Sequence, residues 1–285
     1  MPETKPLIMT SYEDAVNNVE LIFEKFKADN IVVLRGLNLT REQQDEFIRT
    51  MGDHTGWFPN HSMEFSQEYR ENHSRIEKKE EAGPDGIVVP WHMEHVDFDT
   101  HTPIIGGAWN MLKFSADPNT GKTYFVDSAK FYQGLSEESQ DFLSKSLVKW
   151  YESDGSGPFY TPAVQKHWIS NEPVIRIDIR NHISTPDMLH EYDDRTPTEE
   201  EKQKFVELRD DFIQQIKENA DIRLVHRWEQ GDLLIVDLFK HAHAVTGGFD
   251  SSDREFVGLW LYPKFPETPE YLEFVDNIVS KRADG

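Results

Sequence analysis

The sequence predicts one α+β domain over residues 1–285, with β-strands inside and helices packed against them. Three observations carry that expectation. Short runs of β-branched and aromatic residues bounded by Gly, Pro, Asn or Asp recur from Ile31 to Tyr262. Several segments place apolar residues at helical spacing behind a capping signal. No stretch rich in Pro, Gly or Ser divides the chain, and no internal repeat or low-complexity segment interrupts it.

Thr10-Ser11-Tyr12-Glu13-Asp14 offers an N-cap and first-turn acids, and Val16, Val19, Ile22, Phe23 and Phe26 follow at helical spacing. A helix ending near Asn30 is expected. Ile31 to Leu34 reads as a buried strand closed by Gly36. Thr40-Arg41-Glu42-Gln43 has the capping-box pattern and opens a second helix through about Met51. Residues 53–87 are polar and irregular, with His54, Trp57, Phe58, His61 and Tyr69 scattered among them. They read equally as a substrate lid or as a surface excursion.

Ile104 to Leu112 and Thr123 to Asp127 flank a turn at Asp117–Lys122 and are expected to pair. Ser136-Glu137-Glu138 caps a helix running towards Trp150. Val174 to Ile179 alternates apolar and charged residues as a half-buried strand does. Thr198-Glu199-Glu200-Glu201 is another capping box, and Phe205, Leu208, Phe212, Ile213 and Ile216 line one face of the helix it starts, which runs to Ala220. Strands at Leu224–Trp228, Leu233–Asp237 and Phe256–Tyr262 complete the chain.

Composition narrows the function. The chain has 285 residues, of which 37% are hydrophobic, including 18 Phe, 9 Tyr and 7 Trp, enough for a large core. A net charge of −22 repels phosphate backbones and anionic lipid, so neither nucleic acid nor a membrane is an expected partner. The expected partner is a small molecule, and a homo-oligomer stays open. With no cysteine, disulfides and thiolate sites are excluded, and a metal must be held by His and carboxylate, which suits Fe, Mn or Zn. Neither a basic-then-apolar leader nor an 18-residue apolar run occurs, so the expected location is cytoplasmic.

The chemistry concentrates at Val88-Val89-Pro90-Trp91-His92-Met93-Glu94-His95-Val96-Asp97-Phe98. On an extended strand residues i and i+2 share a face, so His92 and Glu94 would converge on one point. The pair alone is uninformative. With 12 His and 52 acids in 285 positions, chance gives about 2 His-x-acid pairs, and the chain holds two, His92/Glu94 and His95/Asp97. A third ligand would complete the two-histidine, one-carboxylate triad of non-haem Fe(II) oxygenases. His241 and His243, just beyond the strand ending at Asp237, are the candidates. A zinc site using His92 and His95 is the competing reading, although i and i+3 face opposite ways on a strand. Arg254, eleven residues beyond His243, could pair bidentately with a carboxylate near the metal.

The order Trp91-His92-x-Glu94, Gly121-Lys122-Thr123, Trp228-x-x-Gly231-Asp232, Asp237, His243 and Arg254 resembles the taurine dioxygenase family of Fe(II)/2-oxoglutarate-dependent oxygenases. The resemblance covers roughly residues 30 to 262. It implies a double-stranded β-helix, or jelly-roll, with flanking helices. It makes His92, Glu94 and His243 the iron ligands, and Arg254 with the Thr123 hydroxyl the clamp for the distal carboxylate of 2-oxoglutarate. The co-substrate would chelate the metal opposite the triad and leave one position for O2. The implied reaction decarboxylates 2-oxoglutarate to succinate and CO2 while hydroxylating an unactivated C–H bond.

Two departures from the taurine type guide the substrate. Glu94 stands where that type has Asp, as in relatives that hydroxylate free amino acids, and a carboxylate there argues against halogenation. Gly258 stands where that type carries a second Arg, four residues after the first, for the sulfonate. A free amino acid or another small polar, even cationic, metabolite is therefore favoured over a sulfonate or phosphonate. Candidate substrate contacts are His61, Tyr69, Asp97, Phe98 and Trp109. A zinc-dependent hydrolase on the same ligands and a non-catalytic jelly-roll binding module are the remaining alternatives.

Overall fold

The computed structural model describes residues 2–55, 57–60, 86–94, 104–150, 159–180, 186–219 and 222–263. The first part contains β1 (Leu7–Ile8), α1 (Tyr12–Asn17), α2 (Val19–Asp29), β2 (Ile31–Arg35), α3 (Arg41–Thr55) and β3 (Trp57–Asn60). There follow β4 (Ile87–His92), β5 (Gly106–Phe114), β6 (Thr123–Asp127), α4 (Ser128–Gly134), α5 (Glu137–Ser144) and β7 (Ser146–Trp150). Next come β8 (Phe159–Pro162), β9 (Val164–Lys166), β10 (Pro173–Ile175) and β11 (Leu189–Tyr192). The last part holds α6 (Glu199–Glu218), β12 (Arg223–His226), β13 (Leu233–Val236), β14 (His241–Thr246) and β15 (Arg254–Pro263).

The architecture is mixed α+β. A six-stranded sheet has the order β1-β2-β13-β5-β15-β3, and a four-stranded sheet the order β12-β6-β14-β4. Smaller sheets join β11-β7-β8 and β10-β9. Because side chains alternate along a strand, each large sheet has two faces with different work. From the six-stranded sheet, Val32, Leu34, Ala108, Leu233, Ile235, Leu259 and Leu261 pack outward on Ala15, Val19, Ile22, Phe26, Phe47, Ile48 and Met51 of α1–α3. Ile31, Val33, Trp109, Met111, Leu234, Val236 and Tyr262 turn the other way and meet Phe125 of the four-stranded sheet. Outward from that second sheet, Trp91, Tyr124, Val126, Ala242 and Ala244 pack with Val148, Trp150 and Leu189 and with Phe205, Phe212, Ile213 and Ile216 of α6. The two large sheets thus face each other between helical and sheet layers.

Local chemistry sets most element ends. Ser11 accepts from the Asp14 N–H, and Asn30 closes α2 in the left-handed region at φ 59°. The single helix expected up to Asn30 is two, because the backbone at Asn18 leaves the helical region (φ −110°, ψ 18°), its side-chain amide donating to the Asp14 carbonyl (2.7 Å). The capping boxes at Thr40 and Thr198 form with both reciprocal bonds. Gln44, fully buried on α3, donates to the carbonyls of Ala108 and Val257 and ties this helix to the sheet. Among the described residues, no helix is long and apolar enough to cross a membrane.

Three further expectations fail. β5 and β6 do not pair: β5 bonds β13 and β15, β6 bonds β12 and β14, and the Asp117–Lys122 turn carries the chain between sheets. The helix expected to reach Trp150 stops at Ser144, and from Ser146 the alternation of buried Ser146, Val148 and Trp150 makes strand β7. Val174–Ile179 is strand only to Ile175, and its charged members are not solvent-facing, since Arg176 and Asp178 are 0% and 2% exposed.

Candidate metal centre

Strands β4 and β14 are antiparallel neighbours whose register sets His243 directly opposite His92. Opposed residues share a face, and the two imidazoles lie 4.0 Å apart between centroids. β4 ends at His92, so Glu94 reaches the same point from the segment beyond the strand rather than from within it. Its Oε1 stands 3.4 Å from His92 Nε2 and 3.9 Å from His243 Nε2. The ligand atoms of His92, Glu94 and His243 lie within 4.8 Å of one another, close enough to hold a metal ion.

The tautomers fit that role. His92 Nδ1 lies 2.8 Å from the Pro90 carbonyl, which can only accept, so Nδ1 carries the proton and Nε2 keeps its lone pair for the centre. Desolvation pushes the His92 pKa down, but the hydrogen bond and charge of Glu94 outweigh it and carry the value above the ordinary one. A divalent cation would replace the proton those two groups otherwise share. Burial, with His92 and His241 nearby, holds His243 well below the usual histidine value, so it offers a neutral nitrogen. Two imidazoles and one carboxylate, without a thiolate, suit iron and leave coordination positions open.

The other expected residues sort clearly. Trp109, on β5, brings its ring 5.3 Å from His243 and 6.1 Å from Phe125. Gly258 stands directly across from Trp109 on β15. Thr123 and Arg254, far apart in the chain, meet at Trp228. The Trp228 indole N–H donates to Thr123 Oγ1 (2.9 Å), and the Arg254 guanidinium lies 5.8 Å from the Trp228 ring, 5.1 Å from Phe249 and 4.9 Å from Phe256. Gly121, at φ 58°, runs close beneath, since a Cβ there would sit 3.1 Å from the Phe249 ring and 3.6 Å from an Arg254 nitrogen. His61, Tyr69, His95, Asp97 and Phe98 lie outside the described residues.

His241, the rival third ligand, belongs to a different cluster. Its Nδ1 bonds the Asp237 carbonyl (2.8 Å). The Asp237 carboxylate takes His167 Nε2 (2.6 Å), Trp168 Nε1 (3.3 Å) and the Lys240 N–H (3.0 Å). Phe125 separates the clusters, with its ring 6.3 Å from each of His241 and His243. A cavity of about 840 Å³ lined by Phe125, Lys130, Arg223, Lys240 and His241 among others does not include the triad. Sequence reasoning missed Arg176 and His167. Arg176 donates to the Glu94 carbonyl, and its only signal was a charge in an apolar alternation that read as solvent-facing.

Comparisons with known proteins bear on the family and the fold. The model of the family described as "Taurine catabolism dioxygenase TauD, TfdA family" matches residues 9–260. Among solved structures, AAD-2 in complex with Mn(II) and N-oxalylglycine is similar at 12% identity and TM-score 0.61, covering 93% of this chain and 95% of its own. A putative α-ketoglutarate-dependent taurine dioxygenase from Burkholderia xenovorans follows at 17% identity and TM-score 0.56, with 89% and 86% covered. A putative α-ketoglutarate-dependent 2,4-D dioxygenase from the same organism stands at 12% and 0.58, with 92% and 91% covered. At these identities the structures show a shared fold. No curated protein matches the sequence.

Proposed function

The chain belongs to the TauD, TfdA family of dioxygenases, whose enzymes use Fe(II) and 2-oxoglutarate with O2, and we propose that it is a cytoplasmic, single-domain hydroxylase of a small polar metabolite, a free amino acid or related amine. The convergence of His92 Nε2, His243 Nε2 and Glu94 Oε1 carries this reading. When bound, iron with the co-substrate and O2 supplies oxidation of an unactivated C–H bond coupled to release of succinate and CO2. His92, Glu94 and His243 would hold the iron on one face, and the opposed large sheets form the double-stranded β-helix that frames it.

Arg254 and Thr123 bind and orient the distal carboxylate of 2-oxoglutarate. The guanidinium supplies a bidentate fork, and the aromatic wall of Trp228, Phe249 and Phe256 excludes water and strengthens the pairing. Trp109 and Phe125 close the inner side of the triad against solvent. Gly258, opposite Trp109, leaves β15 without a cation at that place, which argues against a sulfonate held from this strand. Glu94 and Gly258 together favour an amino acid or amine.

Anaerobic protein with Fe(II) and 2-oxoglutarate should give a metal-to-ligand charge-transfer band in the visible, and its absence would sink the reading. Succinate release should rise with particular amino acids or amines and stay flat with sulfonates and phosphonates. Stimulation by a sulfonate alone would overturn the substrate class. Arg254→Gln should raise the 2-oxoglutarate KM by about 10-fold or more while metal binding holds, since a charge-assisted pair contributes at least about 1.4 kcal/mol. An unchanged KM refutes the clamp.

A further inference from the structure

Behind the triad lies a buried guanidinium with no carboxylate bonded to it among the described residues. Arg176 follows β10 and is 0% exposed. Its Nη1 donates to the Phe239 carbonyl (2.5 Å) and reaches the Leu238 carbonyl (3.5 Å), while Nη2 donates to the Glu94 carbonyl. The guanidinium carbon sits 4.2 Å over the Phe239 ring, and Nε has no hydrogen-bond partner among the described residues. Its bonds among the described residues run only to carbonyls and a ring, with the charges of Asp237 and Glu94 acting from further off. Burying a guanidinium this way is expensive, and an apolar side chain of similar volume would fill the space at lower cost. Core filling therefore does not account for Arg176.

What its donors join does. Glu94 is one arm of the triad, reached beyond the end of β4 with no strand to fix it. Leu238 and Phe239 lie in the turn that starts β14, the strand carrying His243. The start of that turn is set independently by Asp237, which accepts from the N–H groups of Lys240 and His241. A planar fork of fixed donors spans two carbonyl groups more rigidly than any other side chain. We infer that Arg176 is a positioning residue: it clips the backbone of Glu94 to the turn before His243, so that the carboxylate and the second imidazole meet at ligand distance. The inference rests on the metal-centre reading above and adds a residue that touches neither metal nor substrate.

The test is metal binding, read apart from turnover. Mn(II) is titrated into the metal-free protein by loss of its free-ion EPR signal, and the anaerobic Fe(II)/2-oxoglutarate band is recorded for wild type, Arg176→Lys and Arg176→Ala. Both variants should bind Mn(II) about 10- to 100-fold more weakly, the range for loss of an outer partner of a ligand, and shift the band. Guanidinium ion at low millimolar concentration, far below denaturing levels, should recover much of the loss in Arg176→Ala and leave wild type unchanged. A lowered Tm with Mn(II) affinity within 2-fold of wild type overturns the inference, because a purely structural residue would behave so. Should neither variant fold, Phe239→Leu, which removes the ring beneath the guanidinium and keeps every carbonyl, should weaken Mn(II) binding several-fold, and unchanged affinity there overturns the inference equally. A wild type that binds no metal and shows no band instead defeats the metal-centre reading.

Discussion

Strand β14 carries two buried histidines, two residues apart and on one face, and they differ in their hydrogen bonding. His241 joins a hydrogen-bonded cluster in which its Nδ1, the Asp237 carboxylate, His167 and Trp168 all find partners. His243 does not: among the described residues its buried Nδ1 has no partner, and its Nε2 faces Glu94 at 3.9 Å, too far for a hydrogen bond. Residue types and burial are alike, so neither separates the two. What differs is that one ring nitrogen of His241 is hydrogen-bonded while neither of His243 is, among the described residues, and a folded protein satisfies its buried polar groups except where something else is meant to satisfy them.

The comparison can be broken from either side, and the His243 side should give the largest effect. His243→Ala should lower metal affinity by more than about 100-fold, beyond the loss from an outer partner, and abolish succinate formation. Its metal-free Tm should stay within about 2 °C of wild type, the shift about 1 kcal/mol produces at this size. A large drop in Tm with metal binding retained would reverse the assignment. Asp237→Asn should do the opposite. Urea unfolding should show a loss of about 3–5 kcal/mol, as for breaking a buried pair, while the folded fraction binds metal within about 10-fold of wild type.

Smaller effects sharpen the same contrast. His241→Asn should cost about 1 kcal/mol for the lost bond to the Asp237 carbonyl and change metal affinity by less than His243→Ala. A loss of metal binding equal to that of His243→Ala would make His241 the third ligand. The least effect is expected from pH. Burial holds His226 and His241 below, and His243 well below, the usual histidine pKa. As pH falls from 7 towards 5 the unfolded chain takes up these protons first, so the metal-free protein loses stability across that window. His92, raised by Glu94 against its own desolvation, works in the other sense, adding stability below the ordinary histidine pKa that is lost as pH rises through its higher folded value. Three groups against one should lower the metal-free Tm at pH 5 relative to pH 7, and calorimetry showing a rise would break the balance.

Much of the fold was legible in local chemistry. The capping boxes at Thr40 and Thr198, the helix end near Asn30 and the apolar runs of β2 and β13 act within a few residues, and the structure has each where the sequence puts it. What local chemistry cannot express is which strand another strand chooses. β5 and β6 looked like a hairpin because only a turn separates them, yet β13, β15, β12 and β14 take their edges. Arg176 and Asp178 looked solvent-facing because alternation normally marks a half-buried strand, whereas both are buried, Arg176 bonded to Phe239 and Asp178 held by Arg180 and Arg209. The candidate centre was legible only through the order of its pieces. No local signal tells that β14 would set His243 opposite His92, or that Glu94 would lean in from outside the strand.

That register has a consequence for how the protein comes into being. His92 and His243 are separated by about 150 residues, and closing so long a loop adds little to the entropic cost yet makes the pairing a late, slow event. A chain emerging from the ribosome displays His92 and Glu94 as a half-site long before β14 exists to complete it. Iron offered during synthesis would meet two ligands of three and bind weakly. Because the three candidate ligands come together only once β14 has paired with β4, full-strength metal binding is expected of the folded chain alone.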